Sequence, residues 1–225
     1  MDPQCALLPS APAMAATILA AGAGSRMGRI AKAAIHVGGR AVLEWQVSAL
    51  RDAGIHDISV IVGPYREQMD ALMAHCAVQA VQVQAAVHDG TDAPDLVASQ
   101  HTALRSHVRD RPGSDLLLML GDLPCVRSSH LHPLQCAWNA RHRDIHALVP
   151  VVAGVRGHPV LLSWAAVASM AVAAPGDGGV RGWMRRNPAA VQFLDVDDPA
   201  YTQDLDTPED LQRLGGSITP PLSQR

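Results

Sequence analysis

The sequence predicts one α/β domain of three layers, with a mostly parallel mixed sheet of about seven strands and helices on both faces. Three observations carry that expectation. Short, largely apolar segments alternate through the first half with segments whose apolar residues recur at helical spacing. The 225 residues, 48% hydrophobic and 17% charged, suffice for one large core. No internal repeat or low-complexity block divides the chain.

The first thirteen residues and the last ten are rich in Pro and Ser and read as loose tails, which leaves 14–215 as the domain between tails 1–13 and 216–225. Ala16 to Ala21 is a short apolar strand ended by glycines, and Ala41 to Leu50 has helical spacing with Gly54 as its stop. Ile58 to Val62 is a strand before a helix from Arg66 to His75. A buried strand at Val81 to Val87 precedes a helix from Asp95 to Val108, and Leu116 to Leu120 is apolar at every position, as a strand buried on both faces requires. The second half is less regular. Ala147 to Val152 and Pro159 to Leu162 read as strands joined through Gly154 and Gly157 in an antiparallel excursion, followed by a helix near Ala165 to Ala173. A last strand, Val191 to Val196, leads to a closing helix from Pro208 to Leu214. Ligand sites are expected at the carboxyl ends of the parallel strands.

Composition narrows the function classes. A net charge of −3 offers no uniformly basic face, so binding of nucleic acid by phosphate neutralisation is not expected. The apolar stretch from Ala11 to Gly24 is shorter than the roughly 20 residues of a membrane span and has no basic residues ahead of it, so neither a span nor export is expected. Cys5, Cys76, Cys125 and Cys136 form no CxxC pair, which suggests neither a zinc cluster nor a disulfide framework and fits a reducing cytoplasm. Of eighteen basic residues, Lys32 is the only lysine. A lone compact ammonium among guanidinium groups suggests a position where the two are not interchangeable.

The motif Leu19-Ala20-Ala21-Gly22-Ala23-Gly24-Ser25-Arg26-Met27-Gly28, followed by Lys32, places glycines directly after a buried strand. Their backbone N–H groups can wrap a phosphate chain while Arg26 and Lys32 supply charge. Lys32 is followed by Ala33, which excludes a Walker loop, and glycines at 22, 24 and 28 do not make the dinucleotide fingerprint. Gly121-Asp122-Leu123-Pro124 ends the most apolar strand, and Asp122 is either a magnesium ligand or the cap of a helix beginning near Ser128. Asp204-Leu205-Asp206-Thr207-Pro208 is an ordinary helix start, yet Asp204 and Asp206 precede the cap, and alternation in an extended segment would aim both the same way. Asp206 could thus bring a second metal carboxylate. His158, between Gly157 and Pro159 in a turn, and Arg181, behind the flexible loop Gly176-Asp177-Gly178-Gly179, are weaker candidates with structural readings beside the functional ones. Cys125 reads as a packing residue.

Together, LAAGAGSRMG with Lys32, GDLP, RGHPV, GDGGVR and DLDTPEDL resemble, in order and approximate spacing, the molybdenum cofactor cytidylyltransferase family of nucleotidyltransferases, from about Thr17 to Leu214. The resemblance implies a Rossmann-like fold and attack by a terminal phosphate on the α-phosphorus of a nucleoside triphosphate, with release of pyrophosphate. It further implies CTP and a molybdopterin-type phosphorylated acceptor as substrates, Mg2+ as cofactor, and a molybdoenzyme client as a further partner. Arg26, Lys32 and Asp122 would then be catalytic, with Asp122 and Asp206 on the metal. Leu19, Ala20, Ala21, Gly22, Gly24, Ser25, Arg26, Lys32 and Ser99 would line the nucleotide, and His158, Pro159, Asp177 and Arg181 the acceptor. The alternatives are a guanylyl donor, a different phosphorylated acceptor, or a non-catalytic module that delivers cofactor. A dinucleotide-dependent oxidoreductase is disfavoured by the glycine spacing.

Overall fold

The computed structural model describes residues 13–22, 24–28, 30–83, 95–174 and 177–218. Its strands are β1 (Met14–Ala20), β2 (His36–Val37), β3 (Arg40–Ala41), β4 (Ile58–Val62), β5 (Gln79–Gln82), β6 (Asp115–Leu120), β7 (Ala147–Val152), β8 (Val155–Arg156), β9 (Val160–Leu162), β10 (Val191–Asp195) and β11 (Gly216–Ser217). Its helices are α1 (Val42–Asp52), α2 (Arg66–Cys76), α3 (Leu96–Asp110), α4 (Ser128–Asn139), α5 (Trp164–Ala171), α6 (Gly179–Arg186) and α7 (Pro208–Arg213). None of the helices among the described residues is long and apolar enough to cross a membrane.

The main sheet runs β10-β7-β9-β6-β1-β4-β5, with short β8 paired to β7. β1 is parallel to both β4 and β6, and β9 is the antiparallel excursion between β6 and β7. The expected mixed sheet and its layers are therefore present. Leu43, Leu50, Met69, Leu131 and Trp138 from α1, α2 and α4 cover one face. Leu104, Val167, Met170, Val180 and Trp183 from α3, α5 and α6 cover the other. Both faces of β1 and β6 are consequently dry, which is why these strands read as mostly apolar segments. Buried Asp115 at the start of β6 ties the two layers together. Its carboxylate accepts from Trp138 Nε1 and Trp164 N, both at 2.9 Å, and from Arg141 at 3.2 Å.

Three features lie beyond the expected elements. The strand expected at 81–87 is seen as Gln79–Gln82, and 84–94 fall outside the described residues. The segment around Gly178, read as a loop, opens helix α6, with Gly179 at φ 56° and Gln100 accepting from Val180 N at 3.0 Å. A Cβ on Gly179 would stand 2.3 Å from Gln100 Oε1, so glycine permits this close packing on α3. Lastly, β11 pairs with β2 and β2 with β3 in a small antiparallel sheet, which keeps the chain paired through Ser217, past the expected boundary at 215.

The chain leaves β1 toward β4 on one side, while β6 flanks it on the other. The carboxyl ends of β1 and β6 thus sit side by side at a reversal of strand order, where open α/β sheets form their ligand crevice.

Candidate functional site

The loop after β1 is held by its own backbone. Gly24 is left-handed at φ 53°, and a Cβ there would meet the Ile30 carbonyl oxygen at 2.1 Å, so no other residue fits. A 3-10 turn spans Ser25–Met27, and another spans Lys32–Ala34. Between them Ala31 N donates to Gln68 Oε1 at 3.0 Å, which pins the loop to α2.

The turn after β6 is held by Gln46, a fully buried residue of α1. Its Nε2 donates to Leu120 O at 2.8 Å and to Leu123 O at 3.3 Å, on either side of Asp122. Sequence reading passed over Gln46. The available signal was a lone amide among the apolar positions of an amphipathic helix.

Asp206 arrives by packing. Leu205 and Leu211 are buried with Met27, Ile35, Val37 and Val42, so the segment before α7 closes directly over the β1 loop. Leu205 N donates to Asp122 O at 2.9 Å, which sets the two acidic segments side by side. Leu205 was a second functional residue that the sequence did not single out.

These supports bring the expected charged groups together. Lys32 Nζ donates to Asp122 Oδ2 at 3.0 Å and also to Asp206 Oδ1, bridging the two carboxylates. Arg26 Nη1 reaches Asp206 Oδ2 at 3.4 Å. The Lys32 side chain is only 18% exposed whereas Arg26 is 72% exposed, so the lysine is the inner cation and the arginine the outer one. Burial alone would lower the Lys32 pKa, but the Asp122 and Asp206 carboxylates outweigh it and hold the ammonium above its ordinary value. Asp204 is raised in turn by partial burial and by the neighbouring Asp206 and Asp122 charges.

The structural alternatives for both acids can now be judged. Helix α4 follows Arg127, whose N–H donates to His130 Nδ1 at 2.9 Å, and Asp122 takes no part in that cap. Helix α7 is capped by Thr207, whose Oγ1 accepts from Asp210 N at 3.2 Å, with Asp210 returning the bond. Both carboxylates are thereby left for other work. Asp122 Oδ1 is moreover buried with no hydrogen-bond partner among the described residues. An unpartnered carboxylate oxygen beside a second carboxylate is a donor set suited to a hard divalent cation. Among the described residues no third acidic, His or Cys side chain completes a larger ligand cluster.

A cleft of about 200 Å³ opens beside this cluster, lined by Leu19, Ala20, Ala21, Gly22, Lys32, Ser99, Gly121 and Asp122. Ser99 lies on α3, its Oγ donating to Asp95 O at 3.1 Å. Gly24 stands at the head of the Ser25–Met27 turn. His158 N donates to Tyr201 O at 2.8 Å, and its ring lies near Leu118 O and within the field of Asp122. Burial lowers its pKa, so it is neutral at pH 7. Burial likewise raises the Cys125 thiol, against activation as a nucleophile.

Arg181 and Asp177 are held apart from this cluster. Asp177 pairs with Arg186, its carbonyl accepting from Arg186 Nη1 at 2.8 Å. Arg181 lines a separate groove of about 360 Å³ with Arg156, Met184, Arg185, Pro188, Val191 and Phe193. Because α6 is a helix, Arg181 is carried to that groove and not swung on a flexible loop.

Comparison with known proteins identifies the family and the fold. The chain is 25% identical over 207 residues to nicotine blue oxidoreductase of Paenarthrobacter nicotinovorans, covering 90% of this chain and 97% of that protein. Its fold is shared with Rv0371c of Mycobacterium tuberculosis H37Rv at a TM-score of 0.70 and 24% identity, over 92% of this chain and 98% of the other. A manganese complex of Rv0371c superposes at 0.67 with 25% identity, over 90% and 97%. Molybdopterin-guanine dinucleotide biosynthesis protein A of Archaeoglobus fulgidus shares the fold at 0.60 and 19% identity, over 89% and 96%. Residues 16–191 match the family model of the MobA-like NTP transferase domain, a span that includes Lys32 and Asp122, while Asp206 joins from beyond it. With that match extending over most of its length, the chain belongs to the MobA-like NTP transferase family.

Proposed function

We propose that the protein is a magnesium-dependent nucleotidyltransferase that moves CMP from CTP to the terminal phosphate of molybdopterin and releases pyrophosphate. The single observation that carries the reading is Lys32 bridged between Asp122 and Asp206 at the mouth of a cleft lined by the Leu19–Gly22 segment.

Attack of one phosphate anion on another is slowed by mutual repulsion and by charge growing on the leaving pyrophosphate. Residues that neutralise and align are therefore the main requirement. Asp122 and Asp206 would hold Mg2+, which would offset negative charge on the triphosphate. Lys32 and the exposed Arg26 would meet the leaving phosphates, and the glycine-loop N–H groups would wrap them. The acceptor phosphate is already ionised near pH 7, so no general base is required, and neutral His158 can orient it without taking its proton. Pro159 would fix His158, and Asp177 would order α6 so that Arg181 meets the far end of the acceptor. The Ala20-Ala21-Gly22 run and Ser99 support cytidine over guanosine, because both resemble the cytidylyltransferase pattern. Mass spectrometry of products formed from CTP or GTP with molybdopterin tests the choice. A cytosine dinucleotide product is expected, and equal or greater yield with GTP would move the assignment to a guanylyl donor.

A second reading follows from the near full-length similarity to a protein named as an oxidoreductase. It predicts redox turnover with no need for the Lys32 cluster. Unchanged redox turnover in an Asp122→Asn variant would favour it.

A further inference from the structure

We infer that the Lys32 ammonium is a built-in stand-in for the divalent cation, holding Asp122 and Asp206 until a metal–triphosphate complex displaces it onto the phosphates. The inference rests on the reading of those two acids as metal carboxylates and adds an order and a coupling to it.

The geometry leads there directly. A single ammonium in contact with both carboxylates occupies the point that an ion ligated by both must take. The spacing of the acids does not depend on the lysine, because Leu205 N bonded to Asp122 O and Gln46 clamped to Leu120 O and Leu123 O set it from the backbone. Without a cation, two carboxylates would face each other at a partly buried site, which costs free energy in any folded chain. Lys32 removes that cost. A divalent ion arriving alone must therefore evict the ammonium from both carboxylates with which it is hydrogen-bonded, and its affinity suffers. An ion arriving with a triphosphate brings the replacement partner with it, since Lys32 also lines the cleft beside Ala21 and Gly22. Metal and nucleotide then each tighten the binding of the other by the same factor. The flexible stem and compact charge of lysine suit this exchange, whereas a planar guanidinium would keep its fork on the carboxylates. That is a physical reason for one lysine among seventeen arginines.

The first test is Mn2+ titration of the full chain, followed by electron paramagnetic resonance of the free ion, with and without a non-hydrolysable CTP analogue. Without nucleotide, Lys32→Gln is expected to bind Mn2+ at least about tenfold more tightly than the wild type, within the usual range of site coupling. The factor by which the analogue tightens Mn2+ binding is expected to shrink by a similar amount. Unchanged or weaker Mn2+ binding in Lys32→Gln, alongside loss of binding in Asp122→Asn, would overturn the exchange while sparing the metal site. Mn2+ binding that survives Asp122→Asn would overturn the metal reading itself. A second measurement needs no variant, because Lys32 is the only lysine. Its acylation rate, read by peptide mass spectrometry, is expected to rise when Mn2+ is added alone and to fall when Mn2+ and the analogue are added together. A rate indifferent to Mn2+ would overturn the proposal.

Discussion

Truncating Leu205 separates the delivery of Asp206 from its chemistry. Leu205 is fully buried in a satellite cluster with Met27, Ile35, Val37, Val42 and Leu211, at the edge of the domain. A buried Leu→Ala change costs about 2 to 5 kcal/mol, and an edge cluster that can partly collapse belongs at the low end, near 2 to 3 kcal/mol. For a chain of this size that corresponds to a fall in melting temperature of roughly 4 to 12 °C. The functional loss should exceed what stability explains. With its packing gone, the segment that bears Asp206 loses its hold on the β1 loop, and a displacement near 1 Å can cost about a hundredfold in rate. Pyrophosphate release by Leu205→Ala, assayed well below its melting temperature, is therefore expected to fall at least about tenfold. Asp206→Asn should cost less when added to Leu205→Ala than it does alone, because both act on one contribution. Leu205→Met, which keeps volume, should stay within about 1.5 kcal/mol and retain most activity. Full turnover in a folded Leu205→Ala variant would refute the packing account of how Asp206 reaches the site.

Other perturbations follow the same logic. Asp122→Asn removes a charge that pairs with Lys32 and would hold the metal, so turnover should drop by about a hundredfold or more with little change in melting temperature; activity within a few-fold of wild type would reduce the residue to a structural turn. Gln46→Leu leaves the carbonyls of Leu120 and Leu123 without their donor, which should cost about 1 to 3 kcal/mol in a urea titration and lower turnover as the Asp122 turn loosens. Burial lowers the pKa of His107 and His158, so the unfolded chain takes up protons near pH 6.5 before the folded one does. Stability should be full above about pH 6.5 and decline as pH falls through the folded values, with His107→Asn flattening the decline; a urea midpoint that holds constant down to pH 5.5 would contradict this.

The sequence was most legible where one local rule decided the outcome. β1, β4 and β6 read as strands because burial on both faces leaves them mostly apolar, with Thr17 and Ser59 hydrogen-bonded to each other, and Ile58–Val62 coincides with its expected span. Helix α6 was hidden by Gly178, Gly179 and Gly182, since glycine argues against a helix until the partner surface on α3 is known. The β11-β2-β3 sheet was hidden because two-residue strands carry no periodicity and its members lie far apart in the chain. At the site, the lone lysine and the acids were legible as residues of unusual type or position. Their meeting was legible only through the family resemblance, because it depends on Leu205 packing on Met27 and on Gln46 reaching the β6 turn. Arg181 shows the converse. Read as standing behind a flexible loop, it is carried by helix α6 to a groove that it lines with Arg156 and Phe193.

The central claim is that Lys32, Asp122 and Asp206 form a metal-dependent phosphate site for nucleotidyl transfer. The most direct measurement is pyrophosphate release from each of the four nucleoside triphosphates, with molybdopterin as acceptor, in Mg2+ and again in excess chelator. Release should require acceptor and Mg2+, be fastest with CTP, and fall to background in Asp206→Asn. Background release with every triphosphate in the presence of Mg2+ and acceptor, or release that persists in chelator, would contradict the account.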